Sequence, residues 1–203
     1  MHEAALRINL QAICVQFIAG GHTAEMFKVL DGLNKSKYQP RIYVAAITDK
    51  LAPVKVQHHE QRWAAASPDS APPSLRSPPE STQPPQLCLI PRSREVGQSW
   101  PSSAFTTLWA ALFSLAALLR HRPQLLLANG PGTCLPLCLI AAALRQLHLL
   151  NCKIVFVESI ARTRKLSMTG QVLYKLRAAD RLLVQWEQLQ AKHPRAVYAG
   201  RVY

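Results

Sequence analysis

The chain has 203 residues, 49 % of them hydrophobic, and carries 24 Lys+Arg against 11 Asp+Glu, a formal net charge of +13. That length suits one domain of ordinary size with a substantial core, and the excess of positive charge calls for an anionic partner: an acidic membrane surface, a phosphorylated substrate or a nucleic acid. The five cysteines are odd in number and lie mostly in apolar runs, and Cys134 and Cys138 have no second pair at metal-ligand spacing, which argues against zinc or a disulfide framework and for a reducing compartment.

Residues 1–11 include His2, Glu3, Arg7, Asn9 and Gln11 and hold no apolar core of signal-peptide length. An apolar run over 8–18 reads as a short buried strand and stops at Gly20, Gly21, His22 and Thr23. Met26, Val29, Leu30 and Leu33 then fall at i, i+3, i+4 and i+7, which predicts a helix over 23–33. Such a junction turns unpaired backbone N–H groups and the positive end of the helix dipole toward an anion. The plainer alternative is a tight turn with Thr23 as N-cap.

A second strand is expected over 41–47. The stretch 61–86 holds seven of the chain's 15 prolines together with several serines, a composition that denies the backbone its donors and cannot bury much surface. It reads as a disordered insertion before the third strand, 87–90. Pro91, Arg92, Ser93, Arg94 and Glu95 follow. The helix expected over 102–120 is strongly apolar but short for a bilayer span and carries Thr106, Thr107 and Ser114, so it reads as a buried or membrane-surface helix.

The fourth strand, 124–128, runs into Asn129, Gly130, Pro131, Gly132 and Thr133, and a helix is expected over 133–149. This loop is either a ligand-holding turn or one fitted to proline with Thr133 as N-cap. A fifth strand over 153–157 leads to Glu158, Ser159 and Arg162. A helix over 170–176, a strand over 181–185 and a helix over 187–192 complete the reading.

The βα alternation, with consecutive apolar runs such as LLLA and IVFV, predicts an α/β fold: a Rossmann-like parallel sheet with helices on both faces. Ligands of such sheets bind beyond the carboxyl ends of the strands, and four of those ends carry polar or glycine-rich turns. The sequence has no GxxxxGK[ST], and its first turn is A-G-G-H rather than GxGxxG, so neither a P-loop nor a nicotinamide site is expected. No basic–aromatic interleaving suggests an RNA platform, and no nucleic-acid partner, cofactor or metal is expected.

The segments GGHTAEM, IPRSREVGQSWPSS, LLLANGPGTC, IVFVESIARTRKLSMTGQ, DRLLVQW and YAGRV together resemble one family over about residues 13–202. It is the membrane-associated subunit of the two-chain UDP-N-acetylglucosamine transferase that adds the second sugar to the dolichol-linked oligosaccharide. The resemblance implies the N-terminal, acceptor-side half of a GT-B glycosyltransferase, with a separate soluble chain as the donor-binding catalytic subunit. It further implies recruitment of that partner to the cytosolic face of the endoplasmic reticulum through the C-terminal segment at about 180–203, with Trp186, Tyr198, Gly200, Arg201 and Val202 as docking residues. The pair would transfer N-acetylglucosamine to N-acetylglucosaminyl-diphosphodolichol with inversion.

An inverting transfer needs a base, for which His22 is the first candidate and Glu158 the second. The acceptor diphosphate is expected at Gly20, Gly21, Thr23, Arg92, Arg94, Asn129, Gly130, Gly132 and Thr133. Three departures stand out: Ile18-Ala19 replaces the Gly-Ser that members usually place before Gly20, Glu187 stands where a proline usually follows the VQW tryptophan, and the usual transmembrane anchor is not seen. Membrane contact is then expected through the 102–120 helix and basic residues, or through an anchor that the sequence lacks. A pure membrane scaffold and a self-sufficient nucleotide enzyme are the rival readings.

Overall fold

The computed structural model describes residues 13–16, 21–34, 37–65, 85–93, 100–130, 132 and 134–201. Strands and helices alternate along the chain: β1 (Ile13–Gln16), α1 (Gly21–Asp31), β2 (Arg41–Ala46), α2 (Ala52–Ala65), β3 (Gln86–Ile90), α3 (Trp100–His121), β4 (Leu125–Asn129), α4 (Cys134–Gln146), β5 (Lys153–Val157), α5 (Met168–Leu176), β6 (Arg181–Val184), α6 (Glu187–Lys192) and β7 (Val197–Tyr198). The strands form one sheet in the order β3-β2-β1-β4-β5-β6-β7, and every neighbouring pair is parallel. The Rossmann-like expectation holds. The order reverses between β1 and β4, whose register pairs Val15 with Leu127 and Gln16 with Ala128, so a crevice is expected above their carboxyl ends.

Both faces of the sheet are covered, because alternate strand residues point to opposite sides. Tyr43, Ala45, Leu125, Leu127, Val155 and Val157 meet Met26 and Leu30 of α1 and Val56 of α2. Ile42, Val44, Leu126, Ala128, Ile154 and Phe156 meet Leu118 of α3, Leu137 and Ala141 of α4, Leu173 of α5 and Leu189 of α6. β2 and β4 are buried at every position, which is why their sequences run apolar without alternation.

Several expectations need correction. The first helix starts at Gly21, two residues early, so Thr23 lies in its first turn and is not the N-cap. A helix absent from the sequence reading, α2, extends to Ala65; the insertion expected from 61 therefore begins at least five residues later, and most of it lies outside the described residues. The buried face of α2 includes His59 and Glu60 besides Ala52 and Val56, so its apolar period is broken. His59 stacks on Phe27 with ring centroids 4.2 Å apart. Arg41 donates through two nitrogens to the two Glu60 oxygens at 2.8 Å each, and the Tyr43 hydroxyl donates to the same carboxylate.

In α3, Ala110, Ser114, Ala117 and Leu118 face the core. Phe105, Leu108, Trp109, Leu112 and Phe113 form an exposed stripe on another face, with Phe105 71 % and Leu108 62 % accessible. No helix of the described residues is long and apolar enough to cross a membrane.

Candidate functional site

The loop after β4 and the first turn of α1 meet at the switch point. Gly130 has φ +99°, a conformation open mainly to glycine, and a Cβ there would lie 3.2 Å from His22 Cγ. Glycine thus serves twice at one position, for the backbone turn and for the close approach of the imidazole. His22 remains about one-quarter exposed, with its Nδ1 3.3 Å from Glu25 Oε2 one turn further along α1.

Glu25 ties α1 to the ends of two strands. Its Oε2 also accepts from Asn129 Nδ2 at 3.1 Å, while Oε1 accepts from the Ser159 hydroxyl at 3.0 Å and the Ile160 backbone N–H at 3.1 Å. The residue is only 4 % exposed. Burial pushes its carboxyl up, but the hydrogen bonds from His22, Asn129, Ile160 and Ser159 outweigh that and hold it below its ordinary value. The ends of β4 and β5 therefore converge on one buried anion carried by α1. With Nδ2 of Asn129 committed to Glu25, its Oδ1 is buried and makes no hydrogen bond to a described residue.

The second buried carboxylate has a different task. Glu158, 1 % exposed, accepts from the Ser167 N–H at 2.8 Å, the Ser167 hydroxyl at 3.1 Å and the Ser159 N–H at 3.2 Å. Burial raises its pKa, opposed by Ser167, by Ser159 and by the charge of Arg162. Ser167 is the N-cap of α5, accepting from the Gly170 N–H at 3.0 Å. Both Glu158 oxygens are engaged within the chain, and the residue fastens the 159–167 loop to the start of α5.

The anion-holding expectations fare unevenly. Gly21 is the first residue of α1, and Thr23 is buried at 2 %. Gly132, at φ +75°, donates its N–H to Thr169 Oγ1 at 3.0 Å, so that donor is already committed. Asn129 is fully buried, and its side-chain Nδ2 donates to Glu25. Arg92 is partly exposed, with a buried Nε that makes no hydrogen bond to a described residue. Gly20, Arg94 and Thr133 lie outside the described residues. Ser93 sits beneath the rim, its carbonyl accepting from Thr106 Oγ1 at 2.8 Å and Thr107 Oγ1 at 3.0 Å.

Between the two carboxylate anchors, residues 161–165 are all exposed and include Arg162, Arg164 and Lys165. This basic loop follows the β5 end, held at Ser159 and Ile160 by Glu25 and at Ser167 by Glu158. The C-terminal segment reaches the same loop: Trp186 Nε1 donates to the Ile160 carbonyl at 2.7 Å, and the Arg201 guanidinium lies 4.6 Å from the centre of the Trp186 ring. Tyr198 is 37 % exposed on the edge strand, Gly200 has φ +74°, and Val202 lies outside the described residues.

Sequence reasoning missed Glu25, Ser159 as its donor, and the Ser167 and Thr169 anchors. A carboxylate three residues after His22 on the buried side of an amphipathic helix was the available signal, but only the fold shows that β4 and β5 bring donors to it.

The sequence profile of the family described as "Oligosaccharide biosynthesis protein Alg14 like" matches residues 13–202. The chain is 40 % identical over 203 residues to the mouse protein named UDP-N-acetylglucosamine transferase subunit ALG14, covering 99 % of this chain and 87 % of that one. The human protein of the same name is 42 % identical over 184 residues, 91 % of this chain and 79 % of its own length, and the Candida albicans one 38 % identical over 182 residues, 90 % and 74 %. Among solved structures, MurG from Acinetobacter baumannii superposes with TM-score 0.53 at 13 % identity, covering 86 % of this chain and 40 % of MurG. A Listeria monocytogenes structure described as a putative UDP-N-acetylglucosamine 2-epimerase gives TM-score 0.54 at 12 % identity, covering 90 % and 41 %. The chain thus spans about two fifths of each of these solved structures, a likeness of fold that fits one half of a GT-B glycosyltransferase. The profile match over nearly the whole chain, together with relatives near 40 % identity across most of their own length, places this protein in the Alg14-like family.

Proposed function

We propose that this chain is a non-autonomous subunit of an inverting UDP-N-acetylglucosamine transferase. It recruits a donor-binding catalytic subunit to the cytosolic face of the endoplasmic reticulum membrane and helps bind N-acetylglucosaminyl-diphosphodolichol. The relatives' shared name supports the transferase assignment. The observation that carries the division of labour is that the described residues form one nucleotide-type parallel sheet with one switch point, between β1 and β4. A GT-B enzyme closes its site between two such lobes, and this chain supplies one.

In the assembled pair the acceptor hydroxyl attacks the anomeric carbon of the donor sugar, the bond to UDP breaks, and His22 receives the hydroxyl proton. The partly exposed imidazole beside Gly130 suits that role. The acceptor diphosphate is held by Arg92 and by the exposed Arg162, Arg164 and Lys165, as cation contacts to phosphate. The exposed α3 stripe and the net charge of +13 suit a helix laid in an acidic membrane surface.

The same stripe favours the second reading, a membrane scaffold with no part in acceptor binding. Co-purification with the donor-binding subunit, then transfer assays with each chain omitted in turn, tests the subunit assignment; full transfer without this chain would refute it. His22→Ala in the assembled pair separates the two readings. Loss of about 100-fold or more in kcat, the usual scale for a general base, supports the catalytic one, and near-normal turnover supports the scaffold.

A further inference from the structure

Glu25 is an acceptor-only group once ionised, and its two oxygens receive four neighbours: His22 Nδ1, Asn129 Nδ2, the Ser159 hydroxyl and the Ile160 N–H. That chemistry fixes the polarity of two of these neighbours, His22 and Asn129. An imidazole giving its Nδ1 hydrogen to a carboxylate keeps a lone pair on Nε2 when neutral. An amide giving its N–H to a carboxylate must turn its carbonyl the other way, and Asn129 Oδ1 is indeed the buried atom that makes no hydrogen bond to a described residue.

We propose that Glu25 is the positioning residue of the crevice, setting both His22 Nε2 and Asn129 Oδ1 as acceptors, so that its floor selects a hydrogen-bond donor such as a sugar hydroxyl or acetamido N–H and rejects phosphate. Two lone pairs in one pocket repel an anionic oxygen and pair with a hydroxyl. The ligand is thereby oriented: its sugar lies toward His22 and Asn129, and its charged group toward the exposed cations of residues 162–165. For His22 the same arrangement places the proton-accepting nitrogen on the ligand side.

This inference rests on the acceptor-side reading above but is tested separately from it. The first measurement is the imidazole tautomer of His22 in the full chain bound to its partner subunit, from 15N chemical shifts of selectively labelled histidine at a pH where the ring is neutral. Hydrogen on Nδ1 is the expected result; hydrogen on Nε2 overturns the proposal, whether or not His22 is needed for transfer. If the tautomer is as stated and His22→Ala still turns over normally, the functional reading falls and not this one.

The second measurement uses Glu25→Gln. Its amide would donate to His22 Nδ1 and to Asn129, reversing both neighbours. Binding is compared for a short-chain N-acetylglucosaminyl-diphospholipid and for the same diphospholipid without the sugar. The native pair prefers the sugar-bearing lipid, and Glu25→Gln loses that preference by about tenfold while binding the bare diphospholipid as before. Equal weakening toward both lipids, or an unchanged preference, overturns the proposal.

The exchange Glu25→Gln with Asn129→Asp restores an outward acceptor at position 129 but not the histidine tautomer. It therefore recovers acceptor KM while kcat stays low; recovery of both, or of neither, refutes the separate roles. Should the variants fail to fold, the tautomer of the native chain decides alone.

Discussion

Replacing Gly170 by alanine sets a methyl group against the anchor of the 159–167 loop. The added Cβ would sit 2.4 Å from Glu158 Oε2 and 3.3 Å from Ser167 Oγ, and neither side chain is free to retreat, since Glu158 is 1 % and Ser167 3 % exposed. The carboxylate must leave the Ser167 N–H and hydroxyl, two bonds of 2.8 and 3.1 Å. Each hydrogen bond to a charged group contributes about 1.5–3 kcal/mol, and alanine returns about 1 kcal/mol of helix propensity. The net expectation is a loss of about 2–5 kcal/mol, or about 4–20 °C in Tm for a chain of this size.

Thermal unfolding followed by circular dichroism measures the loss, and a double-mutant cycle with Glu158→Ala identifies its cause. With the carboxylate gone, Gly170→Ala keeps only the 3.3 Å approach to Ser167 Oγ and loses most of its cost, which helix propensity offsets by up to about 1 kcal/mol. If Gly170→Ala leaves the Tm unchanged in the native background, or costs as much without Glu158 as with it, the anchoring role assigned to Glu158 is wrong.

Three further outcomes follow from the same structure. Glu60→Ala removes the carboxylate that pairs with the 6 % exposed Arg41, so urea unfolding should lose about 3–5 kcal/mol; a loss under about 1 kcal/mol refutes that bond's importance. Burial pushes Glu60 up, but the hydrogen bonds from Arg41 and Tyr43 outweigh it and its carboxyl sits below the ordinary value. Its stabilisation is therefore full above the unfolded value of about 4.3 and lost as pH falls through the folded one, so Glu60→Gln should be less acid-sensitive than the native chain across that window. At the surface, Trp109→Glu, at a site 50 % exposed on α3, should weaken co-sedimentation with anionic vesicles about tenfold or more, since a buried aromatic contributes about 1.5–3 kcal/mol. Unchanged binding would remove α3 from the membrane contact.

The elements with regular apolar periods were legible in the primary structure. Residues 153–157 and 187–192 fall where expected, and most other strands and helices shift by one or two residues, because β4, β5 and α4 are buried on their sheet-facing sides and announce it in consecutive or helical apolar runs. α2 was not legible, because its inward face includes His59 and Glu60, whose partners Asp31, Arg41 and Tyr43 are supplied by α1 and β2. Likewise GGHTAEM marked the first crevice loop and NGPGT the second, and each glycine-rich turn could be placed on a strand end by pattern alone.

The roles of the two carboxylates were decided only by the fold. Both Glu25 and Glu158 follow apolar runs or lie on a helix face in ways that sequence cannot separate. What distinguishes them is which donors arrive from more than a hundred residues away. Asn129 and Ser159 reach Glu25 across separations of 104 and 134 residues, whereas Glu158 meets Ser167 nine residues on. A local pattern determines which way a residue faces. The charge and hydrogen-bond partners that fix its chemistry come from strands brought side by side in the sheet, and that adjacency is a property of the tertiary structure alone.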